Sequence, residues 1–492
     1  MFYFYFVGHN FEYEVRNTLR IFDLNTEYKI EAHGNIDSND GLGLISILEK
    51  DNDEYIGFAK LYYSNRLLFE SRINMKLIQL EKNNEKKLKK VLVSKSIYEV
   101  LSKYYKIKSK YGILTGVRPV KILFAAKDNG KSNEEINDIF LDTYEITPDK
   151  LKLLWEVSKI EEKYININEN RKNYNLYIGI PFCPSKCSYC SFTSYVNYKN
   201  ESIDKYINTL IYEIEKTIEL ALKCNLNLNS IYFGGGTPTF LEEHQINRIF
   251  DALKKYYDLS NIKEITFEAG RPDTITEEKL IALKNNYVNR ISINPQTMNE
   301  KTLVAVGRRH NVEDIVEKYD LARKIGFKSI NMDIILGLPG EDKFYAQNTI
   351  NEILKLMPEN ITVHSLSYKR GAVLTKEEHQ LTKDYELLSD MQTIVGERCY
   401  ETGYKPYYMY RQKNIKGNLE NVGFTLPNKE SIYNIVIIEE IETILACGAG
   451  VSSKILDEKG RHEPIFNFKG IEEYSNRIEE IIEKKKCLMI TK

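Results

Sequence analysis

Between about residue 166 and residue 402, short apolar runs alternate with longer stretches whose apolar residues recur at helical spacing. The short runs are NLYIGI, SIYFGG, EITFEAG, RISINP, SINMDIILG and ITVHSLS. Each has strand length and is nearly continuous in apolar residues, the signature of strands covered on both faces. The helical intervals that follow them are 203–223, 242–257, 277–285, 312–325, 344–357 and 376–402. Six strand–helix units in succession predict an α/β fold built on a parallel sheet with right-handed crossovers, either open and doubly wound or curled into a partial barrel. In both forms ligands sit at the carboxyl ends of the strands.

The flanking segments have other patterns. Residues 1–165 begin with β-type runs, MFYFYFV, FEYEVRN, YKIEAHG, LGLISIL, YIGFAKLYY and LLFESRINMKLIQL, with period-two alternation in FEYEV and YKIEA. Helical patterns follow at 82–105 and 151–164, which predicts an N-terminal accessory α+β domain. Residues 403–492 mix short strands, the Gly-rich ACGAGVSSK and a charged terminal helix, EEYSNRIEEIIEKKK. The expected boundaries are 1–165, 166–402 and 403–492, in keeping with a chain of 492 residues, longer than one core usually organises.

Composition narrows the function classes. A formal net charge of −1 gives no reason to expect a nucleic-acid or membrane-surface partner. No apolar run approaches the length of a membrane span, and MFYFYFVG is too short for a signal h-region, so the cytoplasm is the expected location. Seven cysteines at low density argue against a disulfide framework. Three of them, Cys183, Cys187 and Cys190, lie in IPFCPSKCSYCSF directly after the first strand of the alternating region, with C-x3-C-x2-C spacing. Cys224, Cys399, Cys447 and Cys487 are scattered singly and read as packed or incidental residues. An iron–sulfur cubane takes thiolate ligands and normally needs four. Three in one loop leave one iron open to a substrate or cofactor. A zinc knuckle is the competing reading, but it would want a fourth Cys or His nearby, and no His lies between His33 and His244.

The triad spacing resembles that of the radical S-adenosylmethionine (SAM) superfamily, and the resemblance extends to the other strand ends. It implies a partial (β/α)6, TIM-like barrel whose [4Fe–4S] cluster, on Cys183, Cys187 and Cys190, binds SAM at its open iron and cleaves it to methionine and a 5′-deoxyadenosyl radical. Tyr189 matches the aromatic position beside the adenine. GGGTPT, with Gly235, Gly236 and Thr237, matches the motif that holds the SAM amino group. Glu268 of EAGRPDTIT emerges where a carboxylate meets the SAM ammonium or ribose, or else caps the next helix. Gln296 follows the fourth strand. In GRRH, Arg308 or Arg309 is placed to pair with the SAM carboxylate, with Arg308 favoured. Asp333, in NMDIILGLPGE, is a candidate ribose partner.

LYIGIPFC…YFGGGTP…EAGRPDTI…RISINPQT…GRRH…MDIILGLPGE is similar to the oxygen-independent coproporphyrinogen III dehydrogenase (oxidase) family from about residue 176 to residue 341. YGILTGVRPVKI and PYYMYRQKNIKGNLENVGF resemble the long, HemZ-type members, which carry an N-terminal domain like residues 1–165. The resemblance implies an oxidoreductase of haem biosynthesis that decarboxylates two propionates of coproporphyrinogen III to vinyl groups, giving protoporphyrinogen IX. It also implies a one-electron donor such as flavodoxin or ferredoxin, a catalytic and cofactor-contacting role for Tyr177, and a 403–492 extension that covers the substrate. Two positions depart from the best-studied branch. Phe192 stands where that branch has a fourth cysteine, and Gly179 where it has a histidine; Phe192 is what the haem-chaperone relatives carry. A tetra-anionic tetrapyrrole wants cations and aromatic faces together. PYYMYRQK offers Tyr407, Tyr408, Tyr410, Arg411 and Lys413, of which Tyr408 and Arg411 are the expected substrate contacts; an ordinary aromatic strand with a charged turn is the competing reading. Arg118, Lys369 and Arg370 are further candidates. Two other functions stay open: a haem-binding chaperone on the same fold, for which His364 and His379 are the isolated histidines to weigh, and another tetrapyrrole-modifying radical SAM enzyme.

Overall fold

The computed structural model describes residues 2–23, 27–31, 41–52, 54–76, 85–116, 118–196, 198–367, 372, 374, 381–412, 418–458 and 460–490, without the side chains of 167, 168 and 381–384. The chain divides into two compact units. One comprises the described residues of Met1–Trp155, Thr375–Ser389 and Arg411–Glu420; the other comprises those of Glu156–Leu374, Asp390–Tyr410 and Asn421–Lys492.

In the first unit, β1 (Phe2–Val7), β2 (Tyr28–Ile30), β3 (Leu42–Asp51), β4 (Glu54–Tyr63) and β5 (Arg66–Lys76) form one sheet in the order β2-β1-β3-β4-β5. β3, β4 and β5 are an antiparallel meander, whereas β1 runs parallel to both β2 and β3. FEYEVRN, read as β-type, is instead the start of helix Glu12–Phe22. Its alternation lasts only five residues, and burial follows Val15, Thr18, Leu19 and Phe22, the i, i+3, i+4, i+7 face of a helix. That face meets helix Glu85–Tyr105, with Phe22 and Tyr98 ring centroids 5.4 Å apart.

The second unit holds an eleven-stranded sheet. Its strands are β6 (Asn173–Ile180), β7 (Asn227–Gly235), β8 (Glu264–Glu268), β9 (Arg290–Ser292), β10 (Ile330–Leu336), β11 (Asn360–Ser365), β12 (Lys405–Tyr410), β13 (Asn421–Thr425), β14 (Thr443–Cys447), β15 (Ser452–Leu456) and β16 (His462–Phe466). Strands β6 to β11 lie side by side in chain order, all parallel, with helices at 200–223, 243–254, 277–285, 312–325 and 343–356 in the crossovers. This is the parallel α/β arrangement predicted from the alternation, and it is consistent with the partial barrel that the family resemblance implies. Strands from beyond residue 402 extend it at both ends. β13 pairs antiparallel with β11, and β14 pairs parallel with β6, Thr443 opposite Tyr174 through Cys447 opposite Ile178. Among the described residues no helix is long and apolar enough to cross a membrane.

Polar clusters tie the amino-terminal ends of the strands to the later segments. Glu442 accepts from Asn170, Asn173, Asn175 and Asn229. Glu264 accepts from the Ser431 hydroxyl and the Ile432 and Tyr433 amides, an N-terminal anchor for helix Ile432–Glu439. These contacts leave the opposite, carboxyl ends to the cysteine loop and the glycine turn.

Candidate functional site

The cysteine loop leaves β6 at Ile180. Its first strut is a short parallel bridge of Phe182 with Tyr195, closed by Cys183 N–H to Tyr195 O (2.9 Å) and Tyr195 N–H to Pro181 O (2.7 Å). Cys183 and Cys187 are buried and Cys190 is half-buried; all three are free thiols. Burial pushes the Cys183 and Cys190 thiols up, and neighbouring cysteines add to it, Cys190 and Cys187 at Cys183 and Cys187 at Cys190. Among the described residues, no three Cys, His, Asp or Glu groups gather around the position of a single ion. A cubane differs from a mononuclear site in taking each thiolate on a separate iron.

Two turns from distant parts of the sequence clasp this loop. The first is 306–308, where Val306 O accepts from Ser188 N–H (3.1 Å) and Gly307 O from the Ser185 hydroxyl (3.4 Å). Arg308 is buried, while Arg309 is exposed. The Arg308 guanidinium donates through Nε and Nη2 to the Tyr189 hydroxyl (3.2 and 3.0 Å), and through Nη1 to Gly270 O (2.9 Å) and Asn294 O (3.1 Å). It therefore fixes Tyr189 against the ends of β8 and β9, and the Tyr189 ring packs on Val306, Ile335, Leu338 and Leu366. The second turn is 271–273. Arg271 Nη1 donates to Ser185 O (3.3 Å), Ser185 Oγ (3.1 Å) and Cys187 Sγ (3.5 Å). Arg271 lies within the quoted EAGRPDTIT motif but carries no predicted role. An arginine two residues before an aspartate looks like a solvated pair until burial is known.

The glycine turn ends β7. Gly235 has φ +112°, a conformation L-residues avoid, and a Cβ on Gly236 would stand 2.6 Å from Phe182 O and 3.0 Å from Cys183 Sγ. Thr237 Oγ1 lies 3.3 Å from Cys183 Sγ. Glu268, at the end of β8, accepts from the Tyr232 hydroxyl (2.6 Å) and the Gly235 amide. Gln296 sits at φ +67° with its N–H on Asp333 O (2.9 Å) and its O accepting from Ile335 N–H (2.8 Å). Thr297 and Asn299 moor this turn to Glu341 (2.6 and 3.0 Å). A non-glycine residue in the left-handed region is costly and is kept where the surroundings over-determine it. Gln296 Oε1 is buried with no hydrogen-bond partner among the described residues. Asp333 accepts from Asn331 Nδ2 (2.7 Å), and its Oδ2 lies 3.8 Å from His364 Nε2. Burial alone would push the Asp333 carboxyl up, but hydrogen bonding and charge from His364 bring it below the usual carboxylate range.

Burial, reinforced by the charge of Asp333, pushes the Glu268 carboxyl up to about 7 against the donors Tyr232 and Gly235. A carboxyl that holds its proton more tightly folded than unfolded gives stability at low pH, lost as pH rises from its ordinary 4.5 through about 7. Glu268→Gln stays neutral and keeps an acceptor for Tyr232. The cofactor-free variant should therefore gain thermal stability on wild type as pH is raised across that window, by a few degrees in Tm. Parallel Tm–pH curves for the two proteins would refute the assignment.

Tyrosines wall the same unit. Tyr177, Tyr232 and Tyr433 stack mutually, with centroids 5.9 Å (177–232), 6.2 Å (177–433) and 4.4 Å (232–433) apart. Burial and the nearby Glu268 charge push the Tyr177 phenol far up. Tyr408 donates to Thr362 Oγ1 (3.3 Å) and stacks with Tyr410, whose hydroxyl is 3.4 Å from His364 Nδ1. On β6, a Cβ at Gly179 would collide with Val451 Cγ1 of the loop after β14. Phe192 is 64% exposed.

The strand ends thus bring together Cys183, Cys187, Cys190, Tyr189, Gly235, Gly236, Thr237, Glu268, Gln296, Arg308 and Asp333, with Tyr177 beside Glu268. Tyr408 and Arg411, expected together, fall in different units. Arg411 is 3% exposed, its Nη1 on Leu114 O, its Nη2 on Asn418 O (2.9 Å) and Oδ1 (2.7 Å), and its guanidinium 4.2 Å over the Tyr111 ring. Arg118, also in the first unit, is half-buried before helix Pro119–Asp128. Lys369, Arg370, His379 and Lys413 lie outside the described residues. The residues present fit a cluster with SAM: three free thiols on one loop, room at Cys183 where Gly236 lacks a side chain, and a buried amide oxygen on Gln296 with no partner among the described residues.

Comparison with known proteins bears on the family. The sequence profile of the radical SAM superfamily matches residues 177–353. The oxygen-independent coproporphyrinogen-III oxidase-like protein HemZ of Bacillus subtilis is 41% identical over 384 residues, 77% of this chain and 77% of its own. The heme chaperone HemW of the same organism is 34% identical over 236 residues, 46% of this chain and 61% of its own. Among solved structures, coproporphyrinogen III oxidase (HemN) from Escherichia coli, described as a radical SAM enzyme, aligns with a TM-score of 0.50 at 22% identity, covering 64% of this chain and 71% of that one. That last likeness concerns the fold. With the fold, the cysteine loop and the HemZ match all in agreement, this chain belongs to the HemZ family, the oxygen-independent coproporphyrinogen-III oxidase-like group of radical SAM proteins.

Proposed function

We propose that this chain is an oxidoreductase that turns propionate side chains of a reduced tetrapyrrole into vinyl groups, with coproporphyrinogen III as substrate and protoporphyrinogen IX as product. The observation that carries the reading is a loop of three free thiols in the same unit as a stacked tyrosine wall, in a chain of this family. Cys183, Cys187 and Cys190 would hold a [4Fe–4S] cluster; Gly235, Gly236, Thr237, Glu268, Gln296, Arg308 and Asp333 would hold SAM, with Tyr189 and Tyr177 beside it. Together the bound cluster and SAM supply a radical strong enough to remove hydrogen from the propionate β-carbon. Each of the two propionates would then lose its carboxylate as carbon dioxide and one electron, its two remaining carbons becoming the vinyl group. Tyr177, Tyr232 and Tyr433 offer flat faces for the macrocycle and keep water from the reacting carbon. Tyr408 and Tyr433 come from 403–492, the segment expected to cover the substrate. A one-electron carrier such as flavodoxin or ferredoxin completes the reaction.

The test is anaerobic incubation of reconstituted protein with SAM, a reductant and coproporphyrinogen III. The expected result is protoporphyrinogen IX with SAM consumed in step. Cleavage of SAM without porphyrin turnover, together with one-to-one haem binding, would overturn the reading in favour of a haem chaperone.

A further inference from the structure

Arg271 has a setting that loop anchoring alone does not require. The residue is 4% exposed, in the turn after β8. One edge of the guanidinium, Nε and Nη2, is clamped by Asp273 Oδ1 (2.9 Å) and Oδ2 (2.8 Å). This bidentate grip leaves Nη1 turned toward the cysteine loop, where it meets Ser185 and, at 3.5 Å, Cys187 Sγ. His310 of GRRH stands next to the clamp, its Nδ1 3.9 Å from Asp273 Oδ1 and its ring otherwise buried. Lysine has no planar fork with which to hold a carboxylate on one edge and a sulfur on the other. Solvent ions screen a charge buried to this degree very little.

We propose that Arg271 is a positioning residue that sets the reduction potential of the cluster, by holding a fixed positive charge and an N–H donor against the Cys187 sulfur. The inference rests on the cluster reading of the triad. A reduced cluster carries one more negative charge than an oxidised one, and hydrogen bonds to the sulfurs together with local charge are levers on its potential. A donor and a cation aimed at a ligating sulfur stabilise the reduced state, so the cluster accepts its electron more readily. Asp273 keeps the guanidinium from swinging to solvent, and its own charge lies on the edge away from the sulfur.

The test is an anaerobic redox titration of the reconstituted full chain without SAM, followed by electron paramagnetic resonance of the reduced cluster, alongside iron analysis. Wild type is compared with R271Q, R271K and the pair variant R271Q/D273N. R271Q is expected to keep its iron but to show, at a fixed poise, a ratio of reduced to oxidised cluster about tenfold lower, equivalent to about 59 mV for one electron. R271K, which keeps the charge without the fork, should fall between the two. R271Q/D273N, which removes both charges, should stay low, because the charge and donor next to the sulfur are gone and removing the more distant Asp273 charge restores neither. A wild-type potential in R271Q, or a return to it in R271Q/D273N, overturns the proposal. So does loss of iron from all three variants, which would make Arg271 a scaffold of the loop and nothing more. If wild-type protein itself takes up no iron, it is the cluster reading that fails, and iron analysis alone reveals it.

Discussion

Cys187→Ala is expected to bring the iron content, the visible absorption and the SAM cleavage of the reconstituted protein down to background while leaving the chain folded. Cys187 is one of three sulfurs in eight residues of loop, and two thiolates cannot make up the protein's share of a cubane. The fold is expected to survive because the loop is fixed by groups the substitution does not touch: Cys183 N–H on Tyr195 O, Ser188 N–H on Val306 O, and the packing of Tyr189 on Val306 and Leu338. The sulfur's contact with Arg271 Nη1 is lost, but that nitrogen keeps Ser185, so Tm should stay within a few degrees of wild type. Cys487→Ala, at an exposed position in the terminal helix, is the control and should retain full iron. Wild-type iron and SAM cleavage in Cys187→Ala would remove the triad from the site.

Lys485→Met should cost about 3–5 kcal/mol of stability, the range for stripping one partner from a buried ion pair. Lys485 and Glu213 are both fully buried, Nζ to Oε1 2.8 Å. Glu213 also accepts from Asn467 Nδ2 (2.8 Å), the Gly448 amide (2.7 Å) and the Tyr474 hydroxyl (2.5 Å), while Lys485 donates to Ala446 O (2.8 Å) and Thr217 Oγ1 (3.1 Å). Removing the ammonium leaves a carboxylate inside the protein with neutral donors alone. Glu213→Gln combined with Lys485→Met should recover part of the loss, since neither charge remains. Chemical denaturation of the three variants measures both effects; equal loss in the single and double variants would mean that packing, not charge, dominates there.

The six strand–helix units were legible because each strand is a continuous apolar run and each crossover a helix-length interval with its own period. The motifs at the strand ends were legible for a related reason: chemistry at parallel-strand termini leaves unusual residues at a regular spacing. The sheet beyond β11 was not. β14 returns to pair with β6 across some 270 positions of sequence, Thr443 opposite Tyr174, and nothing local in TILAC announces a parallel partner so distant. FEYEV shows the opposite failure, in which five residues of alternation lost to the longer spacing of Val15, Leu19 and Phe22. Within the site, Arg308 is favoured over Arg309 on sequence, and burial separates the two. Arg271 was passed over because its partners, Ser185 and Cys187, lie more than eighty residues earlier in the chain. Glu213 and Lys485 gave no sign at all, since a charged residue on an amphipathic helix looks solvated until the element that covers it is known.

Gly179 bears on how this chain could change over evolutionary time. The space where a side chain at 179 would begin is already filled by a methyl of Val451. Acquiring the histidine that the other branch carries there is therefore not a single step. It requires a smaller residue at 451, or a shift of the 447–451 loop that Glu213 holds through Gly448. The two positions are expected to be epistatic, with histidine at 179 deleterious on the present background and tolerated once 451 or its loop has given way. Histidine introduced at 179 alone should fail on this background, whereas the same change made after 451 has been trimmed should be tolerated, so the order of the two steps matters.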